Sequence, residues 1–162
     1  MTKDIAFGTV LPFGEVGRVC EARTRPLGKR IDKAGGGRGY ALLDSKPGHT
    51  GPRTFYVTGF SDGCPRQFTA TLALFGAPSM HEKLRYGQAS TKYPYSETDK
   101  AYERVKAKVC GVTRRKPCGA KINRLERNTV FISTYERFTN NGRWADILVH
   151  DGKVMAASVK TP

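Results

Sequence analysis

NTVFISTYERFTNNGRWADILVHDGKVMAASVK, residues 128–160, is the stretch that decides the fold. Its first part places Val130, Ile132 and Thr134 on one side of an extended chain and Phe131, Ser133 and Tyr135 on the other, the period of two that belongs to a strand. The turn TNNG (139–142) leads into RWADILVH. Asp151-Gly152 is then the strongest short hairpin signal in the chain, and KVMAASVK follows it. A two-residue turn there sets His150 opposite Lys153, Val149 opposite Val154 and Leu148 opposite Met155. The expectation is a C-terminal three-stranded antiparallel meander.

Working outward, SETDKAYERVKAKVCG (96–111) carries every local signal of a helix. Ser96 caps it, Asp99 completes a capping box and Gly111 ends it. Tyr102, Val105 and Val109 form its apolar stripe. Glu97 and Asp99 sit at the positive end of the helix dipole, with Lys106 and Lys108 toward the negative end. A second, brief helix is expected from Ser79, with Glu82 three residues on and Gly87 as its stop. CPRQFTATLALFG (64–76) reads as a third: Pro65 suits a first turn, Gly76 lies just past the end, and Phe68, Leu72 and Phe75 recur at helical spacing. TFYVTGF (54–60), β-branched and aromatic, reads as a strand closed by Gly59 and the turn SDG.

Residues 1–53 are rich in glycine and proline and read as mostly loop, with short strands at Ile5 to Pro12, Gly17 to Ala22 and Tyr40 to Leu43. KAGGGRG (33–39) invites comparison with phosphate-cradling loops. No GxxxxGK[ST] pattern is present and no long helix follows the glycines, so it reads as a surface loop. The class is α+β: a mainly antiparallel sheet with two to three helices packed on one face. With no internal repeat and no long linker, 1–162 is expected to form a single domain.

At 162 residues, the chain is long enough to bury roughly two-thirds of its unfolded surface. A hydrophobic content of 38% with 10% aromatics argues against disorder. No apolar run approaches the ~20 residues of a helical membrane span. The net charge of +14, from 28 Lys+Arg against 14 Asp+Glu, implies attraction to polyanions: nucleic acid, acidic lipid headgroups, glycans or an acidic protein.

Cys20, Cys64, Cys110 and Cys118 include no CxxC pair, which argues against zinc ribbons and thioredoxin-like motifs. An even number without metal spacing favours two disulfides and an oxidising compartment. MTKDIAFG contains no signal-peptide core: either the chain is cytosolic or a leader has been removed, and the cysteines make the second the expectation. Four cysteines allow three pairings. The expected one is a local Cys110–Cys118 bridge across CGVTRRKPCG (110–119), leaving Cys20–Cys64 as the longer bridge.

Candidate chemistry is thin. Cys64, at an expected helix start, would have its thiolate favoured by the dipole and could act as a nucleophile with His49 or His81, but a structural disulfide is the simpler reading. His49, His81 and His150 have no metal spacing and read as surface or capping residues; no metal or cofactor is expected. Asp62 reads as a turn or cap residue, and Glu126, Glu136 and Asp146 show no pairing that the sequence reveals. The densest basic region holds Arg104, Lys106, Lys108, Arg114, Arg115, Lys116, Lys121, Arg124 and Arg127 against Glu103 and Glu126 alone. Arg114, Arg115, Lys116, Lys121, Arg124 and Arg127 are its candidate anion-binding residues, on a stripe able to neutralise phosphates. No RNP-like sequence, GXXG clamp or zinc finger accompanies them. Tyr93, Tyr95 and Tyr135 are better explained by packing than by base stacking.

TFYVTGFSDGCPRQFTATLALFGAPSMHEKLRYG, with YSETDKAYERVK, KPCG and ILVHDGKV, resembles segments of small exported bacterial proteins of unassigned function. The resemblance covers about residues 10–160 and implies export and paired cysteines. It implies no catalytic residue, cofactor or substrate. The leading expectation is thus a non-enzymatic, disulfide-stabilised basic protein, periplasmic or secreted, that binds an acidic protein, glycan or lipid headgroup. Two alternatives stand beside it: an intracellular, cytoplasmic nucleic-acid-binding protein with reduced cysteines, and an enzyme using Cys64.

Overall fold

The computed structural model describes residues 2–139 and 142–161. In chain order the strands of its first half are β1 (Lys3–Asp4), β2 (Gly17–Arg18), β3 (Lys29–Ala34), β4 (Tyr40–Asp44), β5 (Arg53–Thr58), β6 (Arg66–Ala70) and β7 (Leu72–Gly76), with a 3-10 turn at Cys20–Thr24. Helices α1 (Pro78–Tyr86) and α2 (Glu97–Cys110) follow, then a 3-10 turn at Gly119–Lys121 running into the short α3 (Ile122–Glu126). β8 (Thr129–Tyr135), β9 (Trp144–His150) and β10 (Lys153–Lys160) complete the chain. The strands form two mostly antiparallel sheets, in the orders β1-β2-β6-β5-β4-β3 and β10-β9-β8-β7, with β1 and β2 parallel. The class is α+β.

The C-terminal meander forms as its alternation dictates. Asp151 (φ 49°) and Gly152 (φ 74°) both take the left-handed backbone that a two-residue hairpin turn requires. Lys153 pairs with His150 and Val154 with Val149. Leu148 then faces Ala156, not Met155, because a bulge intervenes. The bulge brings the small Ala156 under α2, where it packs in one cluster with Ala101, Val105 and Leu148. The expected turn at 139–142 includes Asn140 and Asn141, which lie outside the described residues.

The helix expected over 64–76 does not exist. The segment is two strands, β6 and β7, meeting at Thr71. Phe68, Ala70 and Ala73 are buried in the core, whereas Leu72 and Leu74 are about two-fifths exposed. Both i+2 steps and i+3 steps were available in FTATLALF, and the partner strands decided between them: β6 is held by β2 and β5, β7 by β8. The meander thereby becomes a four-stranded sheet. Gly17–Ala22 is also less extended than expected, since the strand stops at Arg18, and the strand expected over Ile5 to Pro12 is absent, the two-residue β1 lying just before it.

The two sheets meet face to face. Tyr40, Leu42, Phe55, Val57 and Phe68 from the larger sheet close on Val130, Ile132, Ile147 and Val149 from the smaller. Burying each such side chain contributes roughly 1.5–3 kcal/mol. The opposite face of the four-stranded sheet, through Phe131 and Leu148, carries the helices, which bring Ala101, Tyr102, Val105 and Leu125 to it. The helices therefore do lie on one face of a sheet, but that sheet is the middle layer of three.

α2 begins with the expected capping box: the Asp99 N–H donates to Ser96 Oγ at 3.1 Å and the Ser96 N–H to Asp99 Oδ2 at 2.9 Å. It ends at Gly111 (φ 70°), whose N–H donates to the Ala107 carbonyl at 3.1 Å. α1 starts one residue earlier than expected, after Ala77, with Pro78 in its first turn and no side-chain cap. Glu82, expected to cap it, turns inward instead and is 7% exposed.

Candidate anion-binding surface

Cys20 is bonded to Cys64, and Cys110 to Cys118. Cys64 is thus oxidised, and it precedes a strand, not a helix, so the dipole that would have favoured its thiolate is absent. The second bridge closes the segment from Cys110 to Cys118 on the end of α2 and so fixes the path of the loop carrying Arg114, Arg115 and Lys116.

Beneath that loop lies a buried polar network. Lys106 is fully buried, which removes it from the basic stripe in which sequence had placed it. Its ammonium donates all three of its hydrogen bonds: to Glu103 Oε1 (2.8 Å), Tyr86 Oη (2.6 Å) and the Lys116 carbonyl (2.6 Å). Glu103 also accepts from the Arg115 N–H at 2.6 Å and from the Tyr86 hydroxyl at 2.6 Å. Glu82 accepts from the Tyr102 hydroxyl and, through both oxygens, from the Cys118 N–H at 3.2 Å. Three backbone groups of the loop are therefore satisfied by side chains of α1 and α2.

The electrostatics follow from this wiring. Burial pushes the Glu103 carboxyl up, but the Arg115 N–H, the Lys106 ammonium and the Tyr86 hydroxyl outweigh it and hold the acid below its usual range. Burial, with Glu103 and Glu82 as acceptors, pushes the Tyr86 and Tyr102 phenols well above theirs. Each polar atom here already has its partner, and the arrangement acts as a brace, not as acid/base machinery. Its consequence is directional. The two carboxylates nearest the loop face inward, while Arg114, Arg115 and Lys116 are exposed.

Lys121 and Arg124 continue the exposed basic surface along the Gly119–Lys121 turn and α3. None of these five, nor Arg127, forms an ion pair among the described residues. Arg127 lines a separate hollow with Arg38, and Arg104 lines a different cleft beside β10 with Glu97 and Glu15. Tyr95 underlies the loop: the Arg85 and Arg115 guanidiniums lie 4.4 and 5.2 Å from its ring centre. Tyr93 is 46% exposed, with the Lys92 ammonium 5.5 Å from its ring.

The remaining candidates are structural. His81, read from sequence as a surface or capping residue, is largely buried, stacked on Phe131 (4.3 Å between ring centres) and edge-on to Tyr102 (4.6 Å). Burial lowers its pKa to about 4 against the opposing pull of Asp99. His150 Nδ1 lies 2.8 Å from Thr129 Oγ1, and burial lowers its pKa too. Asp62 accepts from both terminal nitrogens of Arg66 and from the Cys64 N–H, and these hold its carboxyl far below the usual range. Asp62 thereby pins the chain beside the Cys20–Cys64 bridge. Among the described residues no three His, Cys, Asp or Glu side chains are grouped to hold a metal, and no helix is long and apolar enough to cross a membrane.

Sequence reasoning missed the network of Glu82, Tyr86, Tyr102, Glu103 and Lys106. The only signal available was the Glu103/Lys106 spacing on one helix, which is as common on solvated faces. No family model, curated protein or solved structure matches the chain.

Proposed function

We propose that the protein works in an oxidising compartment, the bacterial periplasm or the space outside the cell, as a non-enzymatic basic protein that docks an acidic partner on the 111–124 surface. One observation carries the reading: Arg114, Arg115 and Lys116 stand exposed and without ion pairs on a loop that a disulfide and an inward-facing carboxylate network hold in place. A cation cluster ordered before binding loses less side-chain and loop freedom on association. The two intramolecular disulfides favour an oxidising compartment. The resemblance to small exported bacterial proteins supports the same placement.

The partner is defined by its chemistry, a surface dense in carboxylate, sulfate or phosphate: an acidic protein, a glycan or an anionic headgroup. Binding is measured to a sulfated polysaccharide, an acidic polypeptide, anionic vesicles and duplex DNA, each at low and at physiological salt. The expected result is salt-sensitive binding to one of the first three that R114A/R115A/K116A weakens at least tenfold. Absence of binding at low salt, or a triple variant that binds as the native chain does, overturns the reading. A clear preference for duplex DNA would favour the nucleic-acid-binding alternative.

A further inference from the structure

The glycine-rich KAGGGRG segment (33–39) contributes Gly36, Arg38 and Gly39 to the wall of an open hollow of about 570 Å³. Its other walls are the chain after β5 (Thr58 to Ser61, with Gly63), the end of α3 at Arg127 and Asn128, and the Asp151-Gly152 turn. Four separate parts of the sequence meet there, and hydrogen bonds tie each to the next. The Gly36 N–H donates to the Arg127 carbonyl (2.8 Å) and the Asp151 N–H to the Asn128 carbonyl (2.9 Å). The Tyr40 hydroxyl donates to the Asn128 carbonyl (2.7 Å) and accepts from the Gly152 N–H (2.9 Å). The Ser61 N–H donates to the Gly152 carbonyl (3.1 Å).

The glycines are required by this closure. A Cβ on Gly59 (φ 112°) would lie 2.3 Å from the Gly39 carbonyl oxygen, and one on Gly152 would lie 2.8 Å from the Ser61 nitrogen. The backbone thus forms a shallow concavity, wide open to solvent, whose rim these contacts hold in place. Its charged lining is Arg38 and Arg127 against Asp151. Both arginines are exposed, and neither is in an ion pair among the described residues.

From this juxtaposition we infer that the hollow is a binding site for a phosphate group, either free phosphate or a phosphate monoester, held between Arg38 and Arg127. Guanidinium forks match phosphate oxygens in geometry and in charge. A single carboxylate, Asp151, opposes them and keeps the site's affinity moderate. The inference extends the basic-surface reading to Arg127, but it does not use the disulfide-bridged loop and is separable from it by experiment.

The test is a titration with inorganic phosphate, and in parallel with phenyl phosphate, at constant ionic strength against chloride, read by the amide resonances of Gly36, Gly39, Gly59, Gly63 and Gly152. Saturable shifts at those amides are expected with phosphate and not with chloride. Arg38→Ala and Arg127→Ala should each weaken binding at least tenfold. Asp151→Asn, which keeps a residue tolerant of the left-handed turn, should tighten it two- to tenfold. Tighter binding of phenyl phosphate assigns the site to a monoester, and tighter inorganic phosphate to the free ion. The R114A/R115A/K116A variant should bind phosphate unchanged even if it loses its polyanion partner. Shifts that do not saturate by tens of millimolar, that chloride reproduces, or that survive both arginine substitutions overturn the inference.

Discussion

At the scale of single residues, Lys106 and His81 make opposite use of burial. Lys106 stays in the interior because three acceptors meet its three protons. Lys106→Met would leave Glu103 as an uncompensated buried carboxylate beside the loop. The expected cost is about 3–5 kcal/mol by urea denaturation, against less than about 0.5 kcal/mol for Lys108→Met on the exposed face of the same helix. His81 is kept neutral by burial, with a folded pKa of about 4 against 6.5. Between those values the unfolded chain binds more protons than the folded one, so stability falls as pH drops from 6.5 towards 4. The loss amounts to as much as about 3 kcal/mol. In His81→Phe, which preserves the ring stack on Phe131, the urea midpoint should lose most of its slope across that interval. A slope that persists unchanged would assign the titration to other groups.

Among the elements, the loop between α2 and α3 is held twice, by a bridge and by side chains. Chain entropy assigns about 2.5 kcal/mol to closing the short Cys110–Cys118 loop and about 4 kcal/mol to the longer Cys20–Cys64 one. Cys110→Ala/Cys118→Ala should therefore cost less than Cys20→Ala/Cys64→Ala in thermal unfolding. Protection of the Arg115 amide and of the backbone amide at position 118 from hydrogen exchange should survive in the first variant, because Glu103 and Glu82 still accept from them. The elements also show where local signals are sufficient. α2 was legible to the residue, since Ser96, Asp99 and Gly111 act within one turn of themselves. β6 and β7 were not, because FTATLALF satisfies both periods and its strand partners lie up to 65 residues away, as in the Thr71 Oγ1 bond to the Glu136 carbonyl. Met155 was misregistered for a similar reason: the bulge answers to the packing of α2 on β10, which the hairpin sequence does not contain.

For the molecule as a whole, the four-stranded sheet is the shared layer, with the six-stranded sheet on one face and the helices on the other. Ile132, 2% exposed between the sheets, should cost about 3 kcal/mol when cut to alanine, read as a lowered urea midpoint. Acid acts on the same whole. Asp44, Asp62 and Glu103 are held below their usual range by Arg53, Arg66 and the Arg115 N–H among other donors, so the stability they contribute is present above about pH 4 and lost below it. Local sequence was enough for the capping box and stop of α2, the Asp151-Gly152 turn, the alternation that makes β8 a strand, the α+β class and the excess of cations. Long-range packing was needed to make 64–76 strand, to lay a second sheet over the first, to bury Lys106 while displaying Arg114, Arg115 and Lys116, and to bring a glycine loop to Arg127 around a hollow. Capping and turn geometry depend on neighbours a few residues apart along the chain. Burial and the meeting of distant charges depend on which surfaces are excluded from water together, and that is settled only when the layers close.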